Sequence, residues 1–363
     1  MGAPSLIHTP GEVTADWLTS VLGQAGALAN GARVVSFESE PIGTGQMADT
    51  VRFTLTFDAR GSGPASVVGK FASADDQSRA TGLALRAYEV EVRFYREVAA
   101  RVAARVPGTY VCEVEPETGW FTLLLEDVVG ASQGDQIEAC DVDTAAAVLE
   151  EMAGLHAPCW DSPDLGALEW LNRESPESDQ LLAALMSSLA PGFLERYADT
   201  MAPEHQEVCR IFAERLSLWG ELRRSGPRTA SHGDFRLDNL LFQPGNPRPV
   251  VVDWQTVTWS GGSGDVAYFI GGCLSAKDRR ANEEDLLAHY HDALCRHGVR
   301  GYTLEQLQAD VQRDTFFGIR IGMLASMLVQ RTERGDLMFL TSVSRHAQHV
   351  LDSDALALLR ADG

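Results

Sequence analysis

The sequence is nearly without lysine: Lys70 and Lys277 stand against 28 arginines. Arginine is the default cation of this chain, so a lysine at a special position marks a place for a compact point charge rather than a planar fork. Paired cysteines are missing as well. Cys112, Cys140, Cys159, Cys209, Cys273 and Cys295 lie far apart with no C-x-x-C among them, which argues against a zinc site or a disulfide framework and for reduced thiols. No apolar run approaches the length that spans a bilayer. The N-terminal stretch MGAPSLIHTPGEVTADW has no basic segment followed by an apolar core, and Leu6 stands where a myristoylation signal needs Ser or Thr. The expected location is therefore the cytoplasm. Positive charge is scarce too: the formal net charge is −21. Nucleic acid and anionic membranes call for basic patches, so neither is an expected partner. A cationic substrate is compatible with the charge, as is a plain acidic surface that aids solubility. No internal repeat and no low-complexity segment occurs.

Hydrophobic residues make up 45% and charged residues 22% of the chain, as in ordinary soluble globular proteins. At 363 residues the chain exceeds what one compact core usually holds, so two lobes are expected. The stretch that organises it is Ser231–Gly264. A polar loop, His232-Gly233-Asp234-Phe235-Arg236-Leu237-Asp238-Asn239, leads into Leu240-Leu241-Phe242. A Pro/Gly/Asn turn over 243–249 follows, then Val250-Val251-Val252, and Asp253 ends the run. Apolar run, turn, apolar run predicts a β-hairpin. A hairpin folds its ends back together, so one carboxylate (Asp234), one amide (Asn239) and a second carboxylate (Asp253) are expected at one end of it. Phosphoryl transfer from a nucleotide needs such a set. The acceptor hydroxyl must be oriented and relieved of its proton, and Mg²⁺ on the phosphates prefers hard oxygen ligands.

The upstream half predicts strands and one helical stretch. Residues 33–41 and 49–57 alternate in the manner of strands, with Gly43-Thr44-Gly45-Gln46-Met47-Ala48 between them. Strand, Gly-rich turn, strand is how kinases cover a triphosphate with backbone N–H groups, although the pattern here is G-x-G-x-x-A and lacks the last glycine. Ser66–Phe71 is a third strand carrying Lys70. Tyr110–Val114 and Trp120–Leu125 are strands four and five. Between strands three and four the pattern predicts one long helix from about Ala80 to Val106, with Leu83, Leu85, Tyr88, Val92, Tyr95 and Val98 on its apolar face. Glu89 and Glu91 on that helix are both candidates to pair with Lys70. From about Asp141 the chain is mostly helical: 143–156 is an amphipathic helix, and further helices are expected over 283–297, 304–332 and 336–360. His156 reads as a buried hydrogen-bonder, and Asp265 falls where a helix N-cap is expected.

Protein kinases carry H-R-D-L-x-x-x-N followed by Asp-Phe-Gly. Here His-Gly-Asp-x-x-x-x-Asn is followed by Asp253-Trp254-Gln255. The Asp-to-Asn spacing is the same, and the departures resemble the aminoglycoside phosphotransferase and choline kinase superfamily. Asp-Trp-Gln, the Gly-rich turn and Asp265-Val266-Ala267-Tyr268-Phe269 resemble its ecdysteroid-kinase-like (CHK-kinase-like) branch. The resemblance covers roughly residues 40–275 in order. It implies an α+β, bilobal protein-kinase-like fold, with a five-stranded antiparallel small lobe over 1–126 and a mostly helical large lobe over 127–363. It implies ATP and Mg²⁺, with the γ-phosphoryl group moved to a hydroxyl of a small molecule. The roles it implies are Asp234 as catalytic base, Asn239 and Asp253 as metal ligands, and Lys70 on the phosphates. Glu91 would align Lys70, favoured over Glu89 because Glu91-Val92-Arg93-Phe94-Tyr95 resembles the E-x-x-F-Y of the family. Gly43 and Gly45 would lie over the phosphates, Glu126 and Val128 in the hinge at adenine, and Asp265 would brace the catalytic loop.

Two other readings remain open. A catalytically silent kinase-like binding protein would lose its base or a metal ligand, and only the Ala48 departure points that way. A protein kinase would carry an Ala-Pro-Glu motif and a longer segment after Asp253. The acceptor stays undecided between a bulky alcohol, such as a steroid, terpenoid or macrolide, and an aminoglycoside or amino alcohol. The aromatic and Met-rich stretch 316–324 is a candidate lining.

Overall fold

The computed structural model describes residues 6–43 and 47–360. The chain divides into two compact units. The first runs to Ala100, resumes over Val106–Ala131 and takes back the short stretch Val252–Thr256. The second comprises Arg101–Arg105, Ser132–Val251 and the chain from Val257 onward.

The first unit is built on a five-stranded sheet: β1 (Val34–Pro41), β2 (Ala48–Phe57), β3 (Ser66–Ala72), β4 (Thr109–Val114) and β5 (Phe121–Glu126). Their order is β1-β2-β3-β5-β4, and every pairing is antiparallel. Alternation along β2 sends Val51, Phe53 and Leu55 inward, as the period of two requires. Helix α1 (Ala15–Gln24) starts at Thr14, whose hydroxyl caps the backbone N–H of Trp17 at 3.1 Å. It buries Trp17, Leu18, Val21 and Leu22 against the sheet core. Each such side chain contributes about 1.5–3 kcal/mol. Gly69 is dictated by this core, because a Cβ there would stand 2.7 Å from the Phe71 ring and 2.9 Å from the Phe53 ring. The small residue lets β3 lie close and delivers Lys70 immediately after it.

The single long helix expected from Ala80 to Val106 is not one helix. It is α2 (Asp76–Ala84), α3 (Ala87–Arg93) and one π-helical turn over Phe94–Val98. The break falls at Arg86, whose φ of 56° is left-handed. Leu85, expected on the apolar face, is exposed. The large apolar residues buried here are Tyr88, Val90, Val92, Phe94, Tyr95 and Val98.

The second unit is mainly helical. Its helices are α4 (Val142–His156), α5 (Pro163–Gly166), α6 (Pro176–Tyr197), α7 (Pro203–Arg223), α8 (Ser263–Cys273), α9 (Ala276–Arg296), α10 (Leu304–Asp314), α11 (Phe317–Leu328), α12 (Glu333–Asp352) and α13 (Leu356–Arg360). The run 304–332 is thus two helices, parted at the buried Thr315 and Phe316, and 336–360 is α12 and α13. Helix α9 begins seven residues before its expected start, because Ser275 caps it. The core gathers Phe193, Phe212, Trp219, Phe316, Phe317 and Val343 from α6, α7, α11, α12 and the α10–α11 junction.

The hairpin is present. β8 (Leu240–Phe242) pairs antiparallel with β9 (Val250–Val251), Leu240 opposite Val251, and β6 (Ser132–Gln133) adds a third strand. A second small sheet pairs β7 (Thr229–Ser231) with β10 (Thr258–Ser260). These three-residue strands are too short to leave a periodic signal in the sequence.

Candidate active site

The loop that follows β7 turns sharply at Gly233, whose φ is +81°. That left-handed conformation favours glycine over any residue with a Cβ. Asp265 holds the turn. Its Oδ2 accepts from the backbone N–H of His232 at 2.6 Å and its Oδ1 from that of Gly233 at 2.9 Å. The His156 ring lies 3.1 Å from Oδ2. Burial works against the Asp265 charge, but His156 and the Gly233 N–H outweigh it and hold the carboxyl below its ordinary range. Asp265 is not the cap of α8, whose N-cap is Gly262. It lies in the first turn of the helix and ties it to the loop. His156 is fully buried, with the Tyr290 hydroxyl 2.7 Å from its other ring nitrogen.

Three donors converge on Asp234, which the loop presents half-buried. Asn239 donates its amide N–H groups to Asp234 Oδ2 and to the Asp234 backbone carbonyl, both at 2.8 Å. Arg236 Nε donates to Oδ2 at 3.1 Å, and the Tyr268 hydroxyl donates to Oδ1 at 3.1 Å. Both oxygens are therefore fixed in direction. Asn239 turns its amide nitrogen toward Asp234, which points its amide oxygen away from that carboxylate. Burial and the Asp234 charge push the Tyr268 phenol well above its ordinary pKa, so it stays a donor. Although burial disfavours the Arg236 guanidinium, Asp234 and other partners raise its pKa. Gln136 supports the loop from a distance in sequence, taking the Leu237 N–H on its Oε1 at 3.1 Å and giving its own backbone N–H to Asp238 Oδ1 at 3.1 Å. Tyr268 was visible in the sequence only as part of a motif, and Arg236 and Gln136 carried no signal of their own.

A second constellation lies within the first unit. Lys70 Nζ donates to both Glu91 oxygens, at 2.6 and 2.8 Å, and to Asp253 Oδ1 at 3.2 Å. The other candidate, Glu89, pairs instead with Arg86 and Arg93. Burial disfavours the Lys70 ammonium, yet Asp253 and Glu91 more than offset this and raise its pKa. Burial pushes Glu91 up against the pull of Lys70, and the backbone N–H of Trp254 also bonds to its carboxylate. Asp253 keeps 29% of its side chain exposed, against 2% for Glu91, so Asp253 is the carboxylate open to a ligand. Its φ of 68° is left-handed, which is uncommon for aspartate and typical of sites where backbone strain is held by surrounding structure. Trp254 is fully buried and stacks on Phe94 with centroids 3.7 Å apart, which clamps the segment beside the π-helical turn.

Of the remaining residues, Gly43 follows β1 with φ +76°, and Gly45 lies outside the described residues. Glu126 ends β5, where its backbone N–H donates to the Gly108 carbonyl and its carboxylate accepts from the Gly108 N–H. The Val128 carbonyl closes a turn with the Ala131 N–H. Beside them Asp127 accepts from Arg52 at 2.7 Å and Ser66 at 2.6 Å, an anchor the sequence did not disclose.

Among the described residues no group of three or more His, Cys, Asp or Glu forms a ready-made metal cage, and no helix is long and apolar enough to cross a membrane. Mg²⁺ at phosphates needs no such cage, since it keeps several waters and takes one or two carboxylates with the phosphates. The amide oxygen of Asn239 and the partly exposed carboxylate of Asp253 are hard donors of the kind it takes.

Comparison with known proteins gives the family and the fold. The phosphotransferase enzyme family matches residues 56–306, and the chain belongs to that family. Among solved structures, a candidate aminoglycoside phosphotransferase from Ralstonia eutropha JMP134 is similar, at 15% identity and a TM-score of 0.52, covering 92% of this chain and 97% of that one. Choline kinase from Cryptosporidium parvum Iowa II is similar at 10% identity and a TM-score of 0.54, covering 88% of this chain and 89% of that one. At such identities the likeness is one of fold, and the fold is kinase-like: a five-stranded antiparallel sheet followed by a helical C-terminal region. No curated protein matches the chain by sequence.

Proposed function

We propose that this protein is an ATP- and Mg²⁺-dependent phosphotransferase that moves a γ-phosphoryl group to a hydroxyl of a small molecule. The observation that carries the reading is Lys70, gripped by Glu91 and in contact with Asp253. One of only two lysines in the chain is aligned by a buried glutamate and placed beside a strained, partly exposed aspartate. Lys70 holds phosphate oxygens and Glu91 keeps it extended. Gly43 and Gly45 cover the phosphates, and Glu126 and Val128 lie at the adenine end. Asn239 and Asp253 would hold Mg²⁺, which when bound neutralises charge on the phosphates. Asp234 orients the acceptor hydroxyl and takes its proton. Arg236, Asn239 and Tyr268 all donate to Asp234 and fix its oxygens in direction, and phosphoryl transfer is largely dissociative and asks mainly for positioning.

The functional division is a small lobe over 1–126 and a large lobe over 127–363, and the protein acts in the cytoplasm. The Asp253-Trp254-Gln255 motif and the Asp265–Phe269 run support a place in the ecdysteroid-kinase-like branch, with an alcohol as acceptor. The test is a panel of hydroxylated compounds, from amino alcohols to steroids, screened for ATP consumption and for a new phosphate ester by mass spectrometry. ATP turnover with at least one alcohol is expected. No transfer to any hydroxyl, with ATP bound, would favour a silent nucleotide-binding protein.

A further inference from the structure

Four arginines and three carboxylates meet around α7, α10 and α11, all within the second unit. Arg223 pairs with Asp314 at 3.0 Å and lies 3.6 Å from Glu174. Arg228 pairs with Glu174. Arg313 takes Asp310 at 2.6 Å and Asp314 at 3.0 Å. Ser260 and Ser263 donate to Glu174 and Asp314 as well. These carboxylates are taken, and the fourth arginine, Arg320, has no hydrogen-bond acceptor or ion-pair partner among the described residues. Its guanidinium lies over the Phe317 ring at 4.4 Å and the Trp219 ring at 5.7 Å. Glu174 and Asp314 favour its charge from a distance without pairing with it, so in a chain of net charge −21 this half-buried guanidinium keeps its hydrogen-bond donors available to an anion. Aromatic faces alone offset only part of the cost of desolvating such a charge.

Its position connects it to the proposed base. The ring of Phe317, on which Arg320 rests, lies 5.7 Å from the Tyr268 ring, and Tyr268 donates to Asp234. Given the phosphotransferase reading on which this rests, we infer that the acceptor is a hydroxylated acid whose carboxylate is bound by Arg320 while its hydroxyl lies at Asp234. A guanidinium presents a planar fork that matches a carboxylate in two parallel hydrogen bonds. Two aromatic side chains separate the two ends, so hydroxyl and carboxylate stand several bonds apart in the acceptor rather than on neighbouring carbons. Burial, followed by the neighbouring Arg223 charge, lowers the Arg320 pKa to about 10. An arriving carboxylate relieves that unfavourable environment.

The test uses ω-hydroxy acids of four to eight carbons beside their methyl esters, which keep the hydroxyl and remove the charge. Binding is read by thermal shift without nucleotide, and transfer by kcat/KM with ATP and Mg²⁺, on the wild type, Arg320→Gln and Arg320→Lys. Each variant is referred to its own unliganded Tm, so lost ring packing does not count as lost binding. At least one acid should stabilise the wild type and exceed its ester roughly tenfold in kcat/KM. Arg320→Gln should erase that preference, and Arg320→Lys should keep part of it. Acids and esters behaving alike in the wild type, or an undiminished preference in Arg320→Gln, would overturn the inference. Transfer to a neutral or amino alcohol without acid preference would sink the anionic acceptor and leave the phosphotransferase standing. Arg320-dependent acid binding with no transfer to any alcohol would do the reverse.

Discussion

Lys70 Nζ stands 3.2 Å from Asp253 Oδ1, although 183 positions separate the two residues in the chain. The contact joins the third strand of the sheet to the segment that follows the hairpin, and it sets a lysine against the aspartate proposed to meet Mg²⁺. Arginine in place of Lys70 would put a planar fork into a slot fitted by Glu91 and Asp253 for one ammonium. Lys70→Arg should therefore lower kcat/KM for ATP by ten-fold or more, about 1.4 kcal/mol of lost positioning. Lys277→Arg, on the exposed start of α9, should be silent. Equal behaviour of the two variants would remove Lys70 from the phosphate site.

Asp253→Ala should abolish the Mg²⁺-dependent part of the ATP-induced thermal shift while leaving the fold intact, because the side chain is partly exposed and lies at the end of a short hairpin. Comparing ATP shifts with and without Mg²⁺ decides it. An unchanged Mg²⁺-dependent shift would place the metal elsewhere.

Tyr268→Phe removes one donor from Asp234 without altering ring packing against Phe317 and His346. A hydrogen bond to a charged group contributes about 1.5–3 kcal/mol. If it serves mainly to orient Asp234, kcat should fall roughly tenfold or more with the KM for ATP unchanged. A rise in KM for ATP at constant kcat would show that Tyr268 acts on nucleotide binding instead.

His346 is fully buried and stacked on Tyr268, and burial lowers its pKa from 6.5 to about 3. Between those values the unfolded chain binds a proton that the folded chain refuses, so stability rises with pH across this window and is lost as pH falls below about 6.5. One such proton costs about 1.4 kcal/mol per pH unit. His346→Phe keeps a ring against Tyr268 and should flatten the dependence of urea stability between pH 6.5 and pH 5 by about that slope. An unaltered slope would mean that His346 is protonated in the folded state.

Much of the site was legible because its information is local. His-Gly-Asp-x-x-x-x-Asn fixes the loop within eight residues, and the apolar runs on either side of a Pro/Gly turn specify the hairpin. The strand that carries Lys70 was legible as a strand, and the choice of Glu91 over Glu89 came from the family-like run around it. The rest depends on distant partners. Tyr268 reaches Asp234 across 34 positions and Gln136 reaches Leu237 across 101. Neither shows in a window of periodicity. The break at Arg86 arises where Tyr88 fills the space beside Gly82, whose Cβ would stand 2.4 Å from the Tyr88 ring. The break between α10 and α11 is likewise set by packing, since Phe316 stacks on Phe212 with centroids 5.3 Å apart. The solitary state of Arg320 is a matter of which carboxylates its neighbours take, which no reading of charge along the chain supplies.

The most direct test of the proposed chemistry is Asp234→Asn, assayed for transfer of the γ-phosphoryl group from ATP to whichever alcohol the wild type accepts. The substitution keeps the shape and the contacts with Tyr268 in reach, while removing the proton acceptor. ATP-induced stabilisation should be retained, and turnover should fall by at least roughly a hundredfold, the usual scale for a lost general base. Near-normal turnover of Asp234→Asn would contradict the account.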